Sequence, residues 1–349
     1  MTACVNSSIR TCVHKCSPCK TGKNVLYYTQ IIVNEAYMQN FLISFRVVFP
    51  IFLLMVLGWF IKRIKLVNDT TVKQVNQLIF RVFLPTMIFK NVYDSEIADV
   101  FNVRLIAFAA LCVLGCIALL FLIVPLVEKE NARRGVLIQG IFRSNFVIFG
   151  LPITQALCGD GVTGTASVLI AMIIPIFNFF AVISLEVFQS NKPNIRKILK
   201  GIVTNPLIIA SVLGLLINFF GIRFPSVLEG FMGSVSSVTT PLALIILGAS
   251  IQFSTVGRNA WHIVAGVGAR LVLVPAVCLG LAVALGFRGA ELAILLALFA
   301  SPAAVSSFTM AQQMGGDDQL AGQMVMFGTT ACVLTVFLWI FLFVQMGWI

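Results

Sequence analysis

From residue 41 to its end the chain is a succession of apolar runs about twenty residues long, interrupted by short clusters of charge, glycine and proline. A helix needs roughly 20 apolar residues to cross a bilayer. The pattern predicts ten such spans: 41–61, 72–92, 104–127, 135–157, 164–187, 199–220, 227–252, 261–285, 290–312 and 321–346. No polar stretch between them is long enough for a separate folded domain.

Charge in the loops sets the direction of the spans. Lys62, Arg63 and Lys65 follow span one, and Lys129, Arg133 and Arg134 follow span three. Lys192, Arg196, Lys197 and Lys200 follow span five, and Arg258 follows span seven. The intervening loops hold Arg104, Arg223 and Arg288, with Asp94, Glu96 and Asp99 after span two. Basic loops collect on the cytoplasmic side. Both termini are therefore expected outside the cytoplasm, in a multi-pass protein of the plasma membrane.

Composition agrees. The chain is 59% hydrophobic and 11% charged, where a soluble domain carries about 25% charged residues. The formal charge of +11 follows from the basic loops, so nucleic acid is not an expected partner; the bilayer is. Cys112, Cys116, Cys158, Cys278 and Cys332 lie in apolar segments, where small thiols are ordinary packing residues.

Residues 1–37 differ from the rest. They are polar and lack the apolar core of a signal peptide. Cys4, Cys12, Cys16, Cys19 and His14 lie here, but their spacing does not make the paired zinc pattern. Two readings stand: a disordered extension, or a stretch that is not translated, with Met38 of MQNFLISF as the start.

An offset of 156 residues superposes Pro50 on Pro206, Val56-Leu57-Gly58 on Val212-Leu213-Gly214, and Pro85 on Pro241. This predicts a duplication of five spans, 38–190 and 191–349. Because five is odd, the two units enter the membrane from opposite sides. Inverted repeats of this kind mark secondary transporters, whose sites lie on interrupted helices in corresponding positions of the two halves. Span four carries Asn145 and Pro152 in SNFVIFGLPITQALCG, and span nine carries Pro302 in LFASPAAVSSFTMAQQMGGD. Proline removes a backbone donor and clashes with the carbonyl four residues back. Two helices broken there can cross, each presenting a helix N-terminus that suits an anion. Asn145 would add a side-chain amide.

These residues resemble the auxin efflux carrier family, which includes bacterial permeases and plant carriers. Asn145 with Pro152 resembles the N-x6-P of the family's fourth span. Pro302, Phe308 and Phe327-Gly328 resemble the spacing that begins in its ninth. The resemblance covers about residues 38–349. It implies an all-α integral membrane protein of ten helices, arranged as two inverted five-helix repeats with crossing helices four and nine. Spans one, two, six and seven would be a scaffold and the others a moving unit. Homodimerisation is implied in the same way. Asn145, Pro152 and Pro302 carry over as the substrate region. Two features depart from the plant pattern: no long loop separates spans five and six, and Gln312-Gln313 stand where plant members have a Lys-Glu pair. The bacterial members, described as malate or malonate permeases, are nearer.

Charge inside a span is costly, by roughly 2.5–3.5 kcal/mol on insertion scales. Arg46, Arg81, Arg143 and Arg270 fall in predicted spans. Arg81, Arg143 and Arg270 lie at similar depth, so either they form an anion vestibule or each reaches back to the headgroups. No central carboxylate is placed to relay protons. Ser301, Ser306, Ser307 and Thr309 are candidates for a sodium site at a helix break, which leaves proton or sodium as the coupling ion open. No cofactor is expected.

Three function classes compete. A membrane-embedded enzyme needs paired aspartates, a serine with a base, or an H-E-x-x-H metal site, and His14 with His262 makes none of these. A sensor that keeps a transporter fold would bind without flux. No P-loop supports an ATP-driven pump. The expectation is a secondary transporter of small organic anions, carboxylates above all, with Asn145, Pro152, Pro302, Ser301, Ser306, Ser307 and Arg143 at the substrate and Arg81 and Arg270 nearby.

Overall fold

The computed structural model describes residues 49–95, 102–159, 162–189 and 195–349. The cysteines and histidine of the N-terminal extension, Met38 and Arg46 lie outside the described residues, as do Glu96 and Asp99.

The described elements are helices. α1 covers 49–63. α2 (Asp69–Leu78) and α3 (Leu84–Tyr93) are joined by a π turn, Ile79–Phe83. α4 (Val103–Val127) is continuous. α5 (Asn131–Phe142) is followed by a π turn, Phe146–Gly150, and α6 (Leu151–Cys158). Then come α7 (Thr163–Val187), α8 (Ile195–Val203), α9 (Pro206–Phe219) and α10 (Ser226–Ser250). α11 (Val256–Gly268) and α12 (Val274–Ala284) flank a π turn, Ala269–Leu273. α13 (Gly289–Ala300), α14 (Ser306–Gln313) and α15 (Asp318–Gln345) complete the chain.

Among the described residues, five stretches are long and apolar enough to cross a membrane: Val103–Val127, Gly164–Val187, Ser226–Ser250, Phe253–Ala284 and Asp318–Gln345. Their burial pattern fits a lipid solvent. Leu111, Leu119, Leu122 and Leu126 of α4 are exposed, which water would penalise and lipid does not. By contrast every residue of α13 from Leu292 to Ala300 is buried. A helix apolar all round belongs in the interior.

Local sequence explains the helix boundaries. Asn68, Asn102, Asn205 and Asp317 are N-caps whose side-chain oxygens accept from the second or third backbone amide of the helix that follows. Asn205-Pro206 therefore divides the predicted span 199–220 into α8 and α9. Each of the three π turns is followed at once by a proline: Leu84-Pro85, Leu151-Pro152 and Val274-Pro275. A wider turn moves away the carbonyl that the proline ring would strike.

Glycines bring two helix pairs into backbone contact. A Cβ on Gly58 of α1 would lie 1.9 Å from the carbonyl oxygen of Ile245 in α10. A Cβ on Gly214 of α9 would lie 3.2 Å from the carbonyl oxygen of Phe89 in α3. Gly58 and Gly214 are related by the 156-residue offset, and so are Phe89 and Ile245. Small residues allow such approach between membrane helices.

These contacts gather α1, α2, α3, α9 and α10 into one group. The second group holds α4 to α7 and α11 to α15, with α5 against α7, α12 against α13, and α14 against α15.

Candidate functional site

Two helices in the second group are broken at mid-length, and their breaks meet. α5 ends at Phe142 and Arg143 turns to extended backbone, φ −82 and ψ 109. α13 ends at Ala300 and Ser301 does the same, φ −65 and ψ 149. The amide of Asn145 donates to the carbonyl of Pro302 at 2.9 Å, and the amide of Ala304 donates to the carbonyl of Arg143 at 3.2 Å. The result is a single antiparallel bridge, Ser144 to Ala303. Ser144 and Asn145 compete for backbone hydrogen bonds and disfavour helix. Pro302 pushes the residue before it into the extended region.

The break in span four differs from the expectation. It falls at Arg143–Asn145, while Pro152 lies in the second half-helix, where the preceding π turn absorbs it. Pro302 does lie at its break, and is buried. Proline leaves the carbonyl four residues earlier, Leu298, without its helical donor. Ser144 Oγ at 2.7 Å and Arg270 Nη2 at 3.0 Å supply donors there.

The three arginines do not form one cluster. Arg81 is exposed on the π turn between α2 and α3. Arg270 is buried, and its guanidinium donates to the carbonyls of Ser301 at 2.8 Å, Leu298 at 3.0 Å, Ile141 at 3.2 Å and Phe142 at 3.3 Å. It braces the ends of α5 and α13 and does not line the cavity described next, so the expected vestibule of Arg81, Arg143 and Arg270 is not assembled.

A cavity of about 250 Å³ lies between the two groups of helices, beside the crossing. Met87, Ile88 and Asn91 of α3 and Ser236, Ser237 and Thr240 of α10 form one wall. The other is built from Arg143, Ser144, Asn145 and the turn that follows, Ile174, Phe177 and Asn178 of α7, and Ala304 with Ser306. Arg143 is 4% exposed and Asn145 7%. Arg143 donates from Nη2 to Asn178 Oδ1 at 2.6 Å, and its Nη1 meets the Met310 sulfur. Asn178 in turn donates to Ser211 Oγ of α9 at 3.3 Å. The ion pairs among the described residues include Lys62–Asp69, Lys90–Asp94, Arg133 with Glu130 and Asp317, and His262–Glu128. Arg143 is in none of them. The Asn145 side-chain nitrogen is buried without an acceptor among the described residues. The cavity thus holds a desolvated cation, an unused amide donor and the first N–H groups of a half-helix, which have no intrahelical partners. Among the described residues, no carboxylate lines it.

The serines divide. Ser306 lines the cavity. Ser301 is buried, with its hydroxyl on the carbonyl of Ala297 at 2.5 Å. Ser307 and Thr309 are buried with hydroxyls that lack partners among the described residues. Asn178 was not among the expected site residues. Its signal was present: a single amide in the apolar run PIFNFFAV, where an intramembrane polar residue asks for a partner.

On the opposite side a polar recess of about 550 Å³ is lined by Lys73, Gln74, Gln77, Gln312, Gln313 and Asp318, among others. Asn76 donates to Gln312 Oε1 at 2.7 Å and Gln312 donates to Asp318 Oδ2 at 2.9 Å, which ties α2 to α14 and α15. His262 sits 2.5 Å from Glu128 Oε2 at the end of α4.

Residues 43–340 match the family described as membrane transport protein. An uncharacterised transporter of Methanocaldococcus jannaschii is 24% identical over 316 residues, covering 88% of this chain and 99% of that one. An uncharacterised transporter of Methanothermobacter thermautotrophicus is 22% identical over 307 residues, 86% of this chain and 98% of that one. A probable auxin efflux carrier component of Oryza sativa subsp. japonica is 28% identical over 145 residues, 40% of this chain and 39% of that one. With its long apolar helices and this match, the chain is a multi-pass membrane transporter and belongs to the membrane transport protein family, that of the auxin efflux carriers.

Proposed function

We propose that this transporter is a secondary carrier of small organic anions, carboxylates above all, and that the substrate binds in the cavity beside the crossing. The observation that carries the reading is Arg143. A guanidinium removed from water needs a counter-charge, and among the described residues it has no carboxylate partner. A carboxylate of the substrate would supply it. Asn145 would donate to the same group, and Ser306 and Thr240 would meet hydroxyls. Pro302 fixes the break, Ser301 and Ser307 pack behind it, and Pro152 sets the pitch of the half-helix.

Transport in this reading is alternating access. The group of α1, α2, α3, α9 and α10 is the scaffold, and the group with the crossing moves against it. The cavity on one side of the crossing and the polar recess on the other support this, as does the Asn76–Gln312–Asp318 tie between the two groups. The architecture we infer is ten spans in two inverted repeats, 38–190 and 191–349, with both termini outside the cytoplasm of a plasma-membrane protein. The swapped glycine contacts, Gly58 to Ile245 and Gly214 to Phe89, support it, because an inverted repeat requires such reciprocity. A homodimer remains an expectation of the family. The rice relative is named for auxin efflux. Gln312 and Gln313, in place of the Lys-Glu pair of plant members, favour a small carboxylate over auxin.

Uptake of labelled malate, malonate and an indole carboxylate into proteoliposomes tests the proposal. Saturable flux of a carboxylate, with no flux of a cationic or neutral solute of equal size, is the expected result. Binding without flux for every carboxylate would favour a sensor instead.

A further inference from the structure

The carbonyl cluster at the crossing carries an inference of its own. Four backbone oxygens converge there from two helices distant in sequence: Ile141 and Phe142 at the end of α5, and Leu298 and Ser301 at and just beyond the end of α13. Helix C-termini carry partial negative charge, so two of them facing one another repel unless a cation lies between. In carriers with broken helices, such carbonyls are a usual place for a coordinated inorganic cation. Here the centre is filled by a side chain. The Arg270 guanidinium donates to all four oxygens, is 2% exposed, and has no carboxylate partner among the described residues. The π turn that carries it, Ala269–Leu273, is itself held from outside. The carbonyl of Leu271, four residues before Pro275, accepts from the Trp339 indole at 3.0 Å.

We propose that Arg270 is a resident cation, a positioning residue that holds the two half-helix C-termini together in the place a coordinated sodium ion would otherwise take. It does not touch substrate. It shapes the crossing through the carbonyls of Ile141, Phe142, Leu298 and Ser301, and the chain needs no metal cation at that point. The inference rests on the crossing being the transport site, but its first test does not require a known substrate.

The experiment compares wild type, Arg270→Lys and Arg270→Ala, purified in detergent and reconstituted in vesicles. Melting temperature and carboxylate flux are read in choline, sodium and low-millimolar guanidinium chloride. Wild type should be indifferent to the choice of ion in both readouts. Arg270→Ala should melt lower and lose flux by about tenfold or more, as expected when buried acceptors lose their donors. Guanidinium should restore both saturably, and Arg270→Lys should keep an intermediate flux. A merely packing role predicts no rescue by a small cation, so absence of rescue in a folded Arg270→Ala protein overturns the proposal. A wild-type melting temperature that rises saturably with sodium but not choline also overturns it when sodium still acts on Arg270→Lys. Should Arg270→Ala fail to insert, the ion series on wild type and Arg270→Lys decides alone: indifference of wild type with a guanidinium-dependent Arg270→Lys supports the proposal, and sodium dependence of both refutes it. Loss of melting rescue speaks against the resident cation, whereas intact rescue without carboxylate flux speaks against the substrate reading.

Discussion

The amide of Asn145 and the carbonyl of Pro302 form a 2.9 Å hydrogen bond, so the two broken helices are joined by main-chain atoms. With the reciprocal bond from Ala304 to Arg143, Ser144 and Ala303 form a closely spaced antiparallel pair, of the sort whose Cα atoms lie about 4.5 Å apart. That spacing falls within disulfide reach. Ser144→Cys combined with Ala303→Cys should cross-link under mild oxidant in native membranes, while each single variant should not. Mass spectrometry of the linked peptides checks it, and a failure to link would separate the two breaks.

Among the described residues, no carboxylate balances the buried charge of Arg143. An uncompensated buried charge is itself costly, and an apolar residue of similar length removes that cost. Arg143→Met should therefore melt within a few degrees of wild type or above it. The same variant should lose the rise in melting temperature that a bound carboxylate gives, and its flux should fall by roughly a hundredfold, the worth of a charged hydrogen bond. Thermal shift with and without malonate reads both effects.

The glycine contacts make a graded series. Gly58→Ala and Gly248→Ala each put a Cβ 1.9 Å from a backbone oxygen, of Ile245 and Met55 respectively. Backbones cannot yield as side chains do, so each should destabilise by about 1–3 kcal/mol. Gly214→Ala meets Val92 Cβ at 3.1 Å and should be milder. Gly115→Ala opens on empty space and should be neutral or slightly stabilising, since alanine is the better helix former by up to about 1 kcal/mol. Unfolding in detergent ranks them.

Several of these features were readable before the fold. Runs of apolar residues bounded by charge, glycine and proline mark the helices, and Pro302 marks the break in span nine. The break in span four is not legible from its proline, because prolines at 85, 152 and 275 are accommodated by π turns, a backbone change that no side-chain pattern announces. Arg270 was unreadable for another reason. Its partners are carbonyls of Ile141, Phe142, Leu298 and Ser301, and every residue has a carbonyl. Arg81 lies on the same kind of π turn yet is exposed, so depth in a span alone could not sort it from Arg143. Asn178 is legible in the sequence, as a lone amide in an apolar run.

Glu128 gives a pH signature outside the membrane-spanning segments. Burial raises its pKa, but the backbone N–H of Glu130 at 2.7 Å, the His262 ring at 2.5 Å and the backbone of Lys129 outweigh that. The folded carboxyl therefore titrates below its ordinary value of 4.5. A depressed folded pKa adds stability that is present above the unfolded value and is lost as pH falls through the folded one. The difference in melting temperature between wild type and Glu128→Gln should accordingly shrink as pH falls below about 4.5. A difference that grows in acid would contradict the assignment.

Asn145 gives the most direct test of the central claim. Its main chain holds the crossing, while its side-chain nitrogen is buried with no acceptor among the described residues. Counterflow of labelled malonate in proteoliposomes, wild type against Asn145→Ala at matched insertion and melting temperature, separates the two roles. The account predicts an intact, inserted Asn145→Ala protein whose flux is down by about ten- to a hundredfold, as for the loss of a hydrogen bond to a charged group. Wild-type flux in that variant, across malate, malonate and the indole carboxylate, would contradict it and move the substrate away from the crossing.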